Sequence, residues 1–439
     1  MKSWLNNVST LLTLSNQTFM FKYFCRLHLS RPINLFLIIE SLLVVWLSFL
    51  HTSGAMFPAA VCMTINALLF FFVYGKISYI TESSVTKIFC AMALLSILSF
   101  SNYWGNSRFT GGLFFGCSDF QLFCYSLVWL NLYLFYYVYI RRYRDIKLIY
   151  IFAILFFIFG VINNFRAYTY FRVVNSSMIQ HHYYYFPLMC LPLLFLKAKP
   201  VMKYLLILIV VLCTVFAFKR AGIFVSAAIL MVNIIIDARF KFKRLIVYSL
   251  ICVGIFATTY SLMENNENLL RLEQRMNNIS EDKGSGRLTN LKGVFAEMER
   301  ASIETQLIGN GFMSFMAKHR RMVDNEIGSM LYYFGWVGLA IYGIMHVILL
   351  KRILFIAKHP NPEIRRFLSS YTSFYVVVAI YTMAGEFFTY HYLFCMFFIY
   401  AGTVEGLISN KLYGFTNNLL NNLYGFTNNL PIKQTNRTA

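Results

Sequence analysis

The 439-residue chain is 58% hydrophobic and only 13% charged, with 45 Phe and 30 Tyr. Soluble domains carry about 25% charged residues, so this composition excludes an ordinary soluble globule. The net charge of +21 would suggest a nucleic-acid binder in a soluble protein, but here the cations gather in short gaps between apolar runs, which is the retention pattern of cytoplasmic membrane loops and implies no nucleic-acid partner.

In chain order, residues 1–32 mix polar and basic side chains. They contain no apolar core closed by a small-residue cleavage site, so they are expected to persist as a cytoplasmic N-terminus. A spanning helix needs about 20 mostly apolar residues. Between 33 and 263 nine runs approach that length: 33–50, 56–74, 88–101, 121–140, 148–162, 183–196, 204–218, 221–236 and 245–263. A polar block follows at 264–326, and then three more runs at 327–350, 367–383 and 392–408. Residues 409–439 form a tail in which the heptapeptide from Leu412 recurs from Leu423. Each repeat carries Gly and Asn, which weaken a helix. The expected fold is therefore an all-α polytopic membrane protein with about twelve transmembrane helices and one large periplasmic loop.

Charge in the gaps tests that count. The N-terminus has Lys2, Lys22, Arg26 and Arg31, and the second gap has Lys76 and Lys87. Arg141, Arg142, Arg144 and Lys147 occupy the fourth gap, and Lys197, Lys199 and Lys203 the sixth. The eighth has Arg239, Lys241, Lys243 and Arg244, and the tenth has Lys351, Arg352, Lys358, Arg365 and Arg366. The tail adds Lys411, Lys433 and Arg437. The first gap and the gap around Glu386 hold no Lys or Arg, the third has Arg108, and the fifth has Arg166 and Arg172. A missed helix would invert this bias downstream, and none does. Both termini are therefore expected on the cytoplasmic side.

Two outer-side gaps depart from the cation-poor rule. One is the turn at Lys219-Arg220; the other is the 264–326 block, with nine basic and ten acidic residues. Within the block, 267–276 and 288–300 show helical spacing of apolar residues. The guanidinium of Arg220 presents a planar fork that suits phosphate oxygens. A boundary arginine that merely snorkels to the interface is the plainer reading. Arg287 closes Gly284-Ser285-Gly286-Arg287, where glycines permit close backbone approach and the following helix would direct free N–H groups at an anion. A flexible surface turn is the competing reading. Ile308-Gly309-Asn310-Gly311 is a turn of the same kind. His319, Asp324 and Glu326 follow it as candidate general bases, and Glu386 beside Tyr390 and His391 is another. Glu40 is a carboxylate inside the first run. The nine cysteines form no CxxC pair and read as core or lipid-facing residues; neither a metal site nor a nucleotide-binding loop is expected.

The order of Phe218-Lys219-Arg220-Ala221-Gly222, then Gly284-Ser285-Gly286-Arg287-Leu288, then Leu307-Ile308-Gly309-Asn310-Gly311, then Asp324-Asn325 leading into Leu331-Tyr332-Tyr333-Phe334-Gly335-Trp336-Val337-Gly338, resembles the O-antigen polymerase (Wzy-type) and O-antigen ligase superfamily. The topology is similar over most of the chain, and the motifs between about Phe218 and Gly338. The resemblance implies a GT-C-like, metal-independent glycosyltransferase of the bacterial inner membrane that needs no cofactor. Its donor would be a glycan on undecaprenyl diphosphate, and its acceptor the sugar hydroxyl of an incoming lipid-linked repeat unit. The lipid bilayer and a chain-length regulator would be further partners. By the same resemblance Arg220 and Arg287 would contact the diphosphates. The family often has His at the end of the loop where this chain has Asp324, so Asp324, His319 and Glu386 all stand as candidate bases.

Two other functions compete. An O-antigen ligase would share the chemistry but pass finished chains to lipid A-core. A polysaccharide flippase would show two similar halves, short loops and central cations, whereas one outer loop dominates here. A purely structural membrane protein would leave the outer-face arginines without a role.

Overall fold

The computed structural model describes residues 77–105, 127–174, 185–217, 220–238, 287–311, 314–319, 323, 325–384 and 395–428, with isolated positions at 38, 39, 61, 62, 64, 65, 124, 246 and 254. Every regular element among them is a helix. In chain order these are α1 Ile77–Glu82, α2 Ser84–Gly105, α3 Val128–Tyr143, α4 Lys147–Val174, α5 Tyr185–Phe195, α6 Pro200–Phe216 and α7 Arg220–Ala238. After them come α8 Arg287–Glu299, α9 Ile303–Ile308, α10 Ser314–His319, α11 Glu326–Lys358, α12 Pro362–Arg365, α13 Leu368–Ala384 and α14 Cys395–Asn428. Among the described residues two helices are long and apolar enough to cross a membrane: 147–166 in α4, with mean hydropathy 2.3, and α11, with 2.0. The predicted runs at 33–50, 56–74 and 245–263 lie almost wholly outside the described residues, as does Glu40.

Helix α3 packs along α14, and two glycines four residues apart set the approach. A Cβ on Gly402 would lie 2.3 Å from the carbonyl oxygen of Tyr133, and one on Gly406 would lie 2.9 Å from Ile140 Cβ. Small residues at this spacing let two helix backbones meet closely in an apolar environment. The contact extends to Asn410, whose Nδ2 donates to Ile140 O at 2.7 Å. Helix α14 does not stop at Ile408, where the apolar run ends. It continues through the first repeat and into the second, to Asn428. The eleven-residue period is close to three helical turns.

Helix α11 is broken near its start. Gly335 has φ 67° and ψ −168°, far from helical values. The break removes intrahelical partners from preceding carbonyls, and buried carbonyls need replacements. The turn after α9 supplies them: Asn310 N donates to Tyr332 O at 2.9 Å, and Gly311 N to Tyr333 O at 3.1 Å. Ser99 Oγ of α2 also donates to Tyr333 O. The second half of α11 then runs without interruption to Lys358.

The polar gaps meet at the far end of α11. Arg141 pairs with Glu82 at 2.6 Å, and Lys203 with Asp237 at 2.7 Å. Arg352 donates twice to the fully buried Glu405, at 3.1 and 2.8 Å. Tyr371 and Ser83 donate to the same carboxylate at 3.0 and 3.1 Å. Buried carboxylates persist only when paired and hydrogen-bonded. All these residues come from predicted gaps of even number, their flanking helices or the last run. The gaps that the charge pattern assigns to one side thus share one end of the bundle.

Candidate functional site

The opposite end carries α8, α9 and α10 against the first half of α11. Ser302 caps α9, accepting from Thr305 N at 3.3 Å, and Asn325 caps α11, accepting from Gly328 N at 3.1 Å. Asn325 Nδ2 also donates to Met383 O at 3.4 Å, which ties the start of α11 to the end of α13. Val294 and Met298, four apart on α8, are buried. Glu297 borders that buried stripe, three positions after Val294, and so reaches the α10–α11 junction.

There Glu297 gathers three donors from two other helices. Its Oε1 accepts from Tyr332 OH at 2.9 Å and from Lys318 Nζ. Its Oε2 lies 3.0 Å from His319 Nε2. Partial burial pushes the Glu297 carboxyl up, but the bonds from Lys318 and Tyr332 outweigh this and hold it below the usual carboxylate value. The carboxylate is therefore ionised at neutral pH. The Phe315 ring lies 4.4 Å from the His319 ring, centroid to centroid, and 5.0 Å from Tyr332. The imidazole is thus fixed from two sides, by a charge at Nε2 and by a ring on its face. In a neutral imidazole whose Nε2–H donates to Glu297, Nδ1 is the acceptor. This is the base-plus-orienter arrangement that proton abstraction from a hydroxyl requires.

The structure brings His319 into this cluster. Arg287 opens α8 as predicted, half-buried at the helix N-terminus. Ten residues separate it from Glu297, about 15 Å along the helix axis at 1.5 Å per residue. Arg220 is the first residue of α7, and nothing of its side chain is described. Asp324, Glu386 and the glycines of 284–286 lie outside the described residues. Glu326 is fully buried at the start of α11, which removes it from a solvent-facing role.

The structure decides between the two readings open for one turn. The Gly309-Asn310-Gly311 turn is not an anion cradle, because the N–H groups of Asn310 and Gly311 are spent on Tyr332 O and Tyr333 O. A Cβ on Gly309 would sit 2.3 Å from the carbonyl of Tyr333, so the glycine serves close backbone packing. Sequence reasoning also missed Glu297, Lys318 and Tyr332. The available signal for Glu297 was its place beside the apolar stripe of α8. No local signal marked Tyr332, which reads as one more aromatic in an apolar run.

One residue past the break, Trp336 is 46% exposed and its ring lies 6.0 Å from that of Phe295 on α8. The chain matches no protein-family model and no curated protein.

Proposed function

We propose that the protein is a surface-polysaccharide polymerase of the O-antigen polymerase type. It would transfer a growing glycan from undecaprenyl diphosphate to the sugar hydroxyl of an incoming lipid-linked repeat unit. It would act as a multi-pass protein of the bacterial inner membrane with both termini cytoplasmic. The observation that carries this reading is the imidazole of His319 held by the ionised Glu297, on the loop that the charge pattern assigns to the outer side.

The chemistry follows from those groups. The acceptor hydroxyl attacks the anomeric carbon of the donor glycan, and His319 takes its proton. The new C–O bond forms as the bond to diphosphate breaks, and the leaving group departs as an anion. Cations fixed before the reaction stabilise that developing charge. The rise of about 15 Å along α8 from Arg287 to Glu297, the residue that holds His319, suits an extended acceptor better than one small group. Arg287 would hold the acceptor's diphosphate, the distal sugar would reach His319, and Arg220 would serve the donor's diphosphate. Among the described residues His319 has the geometry for the role, and Asp324 and Glu386 are the alternative bases. The sharing of one end by the cation-rich gaps supports the assigned sidedness.

Deletion of the gene in its host, followed by electrophoresis of the surface polysaccharide, tests the reading. Core bearing a single repeat unit, with the long ladder gone, is the expected result. Loss of every repeat-bearing band would replace it with a ligase or a flippase, and polymeric lipid-linked glycan on the outer face would then select the ligase. Complementation with Arg220→Ala and Arg287→Ala should shorten or abolish the ladder. A full ladder from both variants would remove the diphosphate role.

A further inference from the structure

At the end of the bundle away from His319, a pocket of about 660 Å³ lies between the α3–α4 turn, the α5–α6 turn and the start of α13. Five cations line it, Arg144, Lys147, Lys197, Lys203 and Arg366, against one carboxylate, Asp145. That carboxylate is already engaged, since its Oδ1 accepts from Lys147 N at 2.9 Å. Lys203 is engaged too, through Asp237 and Ser369. The pocket keeps a strong positive excess after these pairings.

Backbone dipoles add to that excess. Helix α4 begins at Lys147, α6 begins at Pro200, and Ser369 is the second residue of α13; all three residues line the pocket. Three helix N-termini of 28, 17 and 17 residues therefore converge on one cavity. Each carries a partial positive charge and N–H groups without intrahelical partners. Arg144 holds a left-handed backbone, φ 56°, which is uncommon for a residue with a Cβ and turns the chain sharply into α4 at the pocket's edge.

The like charges strain one another. Partial burial lowers the Lys197 ammonium from its usual value, Asp145 offsets part of this, and Lys147 and Arg366 lower it further. A bound anion would relieve that repulsion. Apart from Ser369 the rest of the lining is apolar and includes Phe195, Leu196, Phe367 and Leu407. Cations over an apolar floor match a phosphate group that carries a hydrocarbon body.

We propose that this pocket binds a phosphate-bearing anion, at the end of the bundle opposite the His319 cluster. Lys197 and Arg366, both exposed, supply the accessible charge. Basic pockets between helices on the cytoplasmic side are suited to anionic lipid headgroups, and a soluble phosphate ester would present the same chemistry. The site is separate from the proposed transferase chemistry and does not depend on it.

Native mass spectrometry of the purified full chain tests the idea with phosphatidylglycerol, phosphatidylcholine and inorganic phosphate as probes, alongside thermal stabilisation by each. The wild type should retain phosphatidylglycerol or phosphate over phosphatidylcholine. The double variant Lys197→Gln, Arg366→Gln removes two surface charges and should bind the anion about thirtyfold more weakly. The control Lys292→Gln, Arg300→Gln removes two exposed cations of the other end and should leave binding unchanged. Selective loss of phosphatidylglycerol in the pocket variant assigns a lipid headgroup. Selective loss of phosphate stabilisation assigns a soluble ester. Equal binding by wild type, pocket variant and control would overturn the site.

Discussion

The break at Gly335 makes a quantitative claim about α11. Replacement by alanine places a Cβ 2.3 Å from Leu307 O, 2.4 Å from Leu307 C and 2.6 Å from Gln306 O. All three are backbone atoms, so no side-chain rotation relieves the clash. The conformation at φ 67°, ψ −168° lies in a region open essentially to glycine alone, where another residue costs about 1–3 kcal/mol. Forcing a methyl into a packed contact costs about 1–3 kcal/mol more. Gly335→Ala should therefore lose about 2–6 kcal/mol, and the loss should fall on the joint between α9 and α11, three residues after Tyr332. Gly343 supplies the control from the same helix, since a Cβ there meets nothing within 4 Å. Gly343→Ala should be neutral or stabilising by up to about 1 kcal/mol, as expected for an exposed helix interior. Denaturant titration of the two detergent-solubilised variants, read by intrinsic fluorescence, separates them. Equal stability of Gly335→Ala and Gly343→Ala would mean that α11 is not broken at Gly335.

Other perturbations reach the remaining joints. Glu405→Ala leaves Arg352 without its carboxylate in a buried setting and should cost about 3–5 kcal/mol, while the double change Glu405→Leu, Arg352→Met should recover most of that loss in the same titration. Gly402→Ala sets a Cβ 2.3 Å from Tyr133 O and should cost about 1–3 kcal/mol; a wild-type melting curve would show that α3 and α14 do not meet there. Glu297 has a depressed carboxyl pKa, so the stability it contributes is complete above its ordinary value of 4.5 and is lost as the pH falls through the lower folded value. Glu297→Gln should accordingly be less stable than wild type at neutral pH and should show a smaller loss on acidification below about pH 4.5. Parallel acid titrations of the two proteins would count against the Glu297 cluster.

Much of the helical layout was legible in the amino-acid order. The apolar runs at 148–162, 204–218, 221–236, 327–350 and 367–383 each fall within or largely overlap one observed helix, because a long apolar run is a local property. The helix predicted at 288–300 also appears, as Arg287–Glu299, since its apolar residues recur with the helical period. The grouping of even-numbered gaps followed from charge alone, and their ion pairs at one end of the bundle agree with it.

The chemistry of the ends was decided only by tertiary structure. Arg352 read as one cation among many, and only packing revealed the carboxylate of Glu405, 53 positions away, that accepts its two hydrogen bonds. The Gly309–Gly311 turn resembled an anion-binding loop until the carbonyls of Tyr332 and Tyr333 took its N–H groups. Nothing in the amino-acid order pointed to Glu297, 22 residues before His319, as its hydrogen-bond partner. Periodicity is written along the chain, so the sequence alone determined where most of the described helices form. A hydrogen-bond partner is chosen by which helix faces cross, and that depends on the packing of distant segments, which no local pattern encodes.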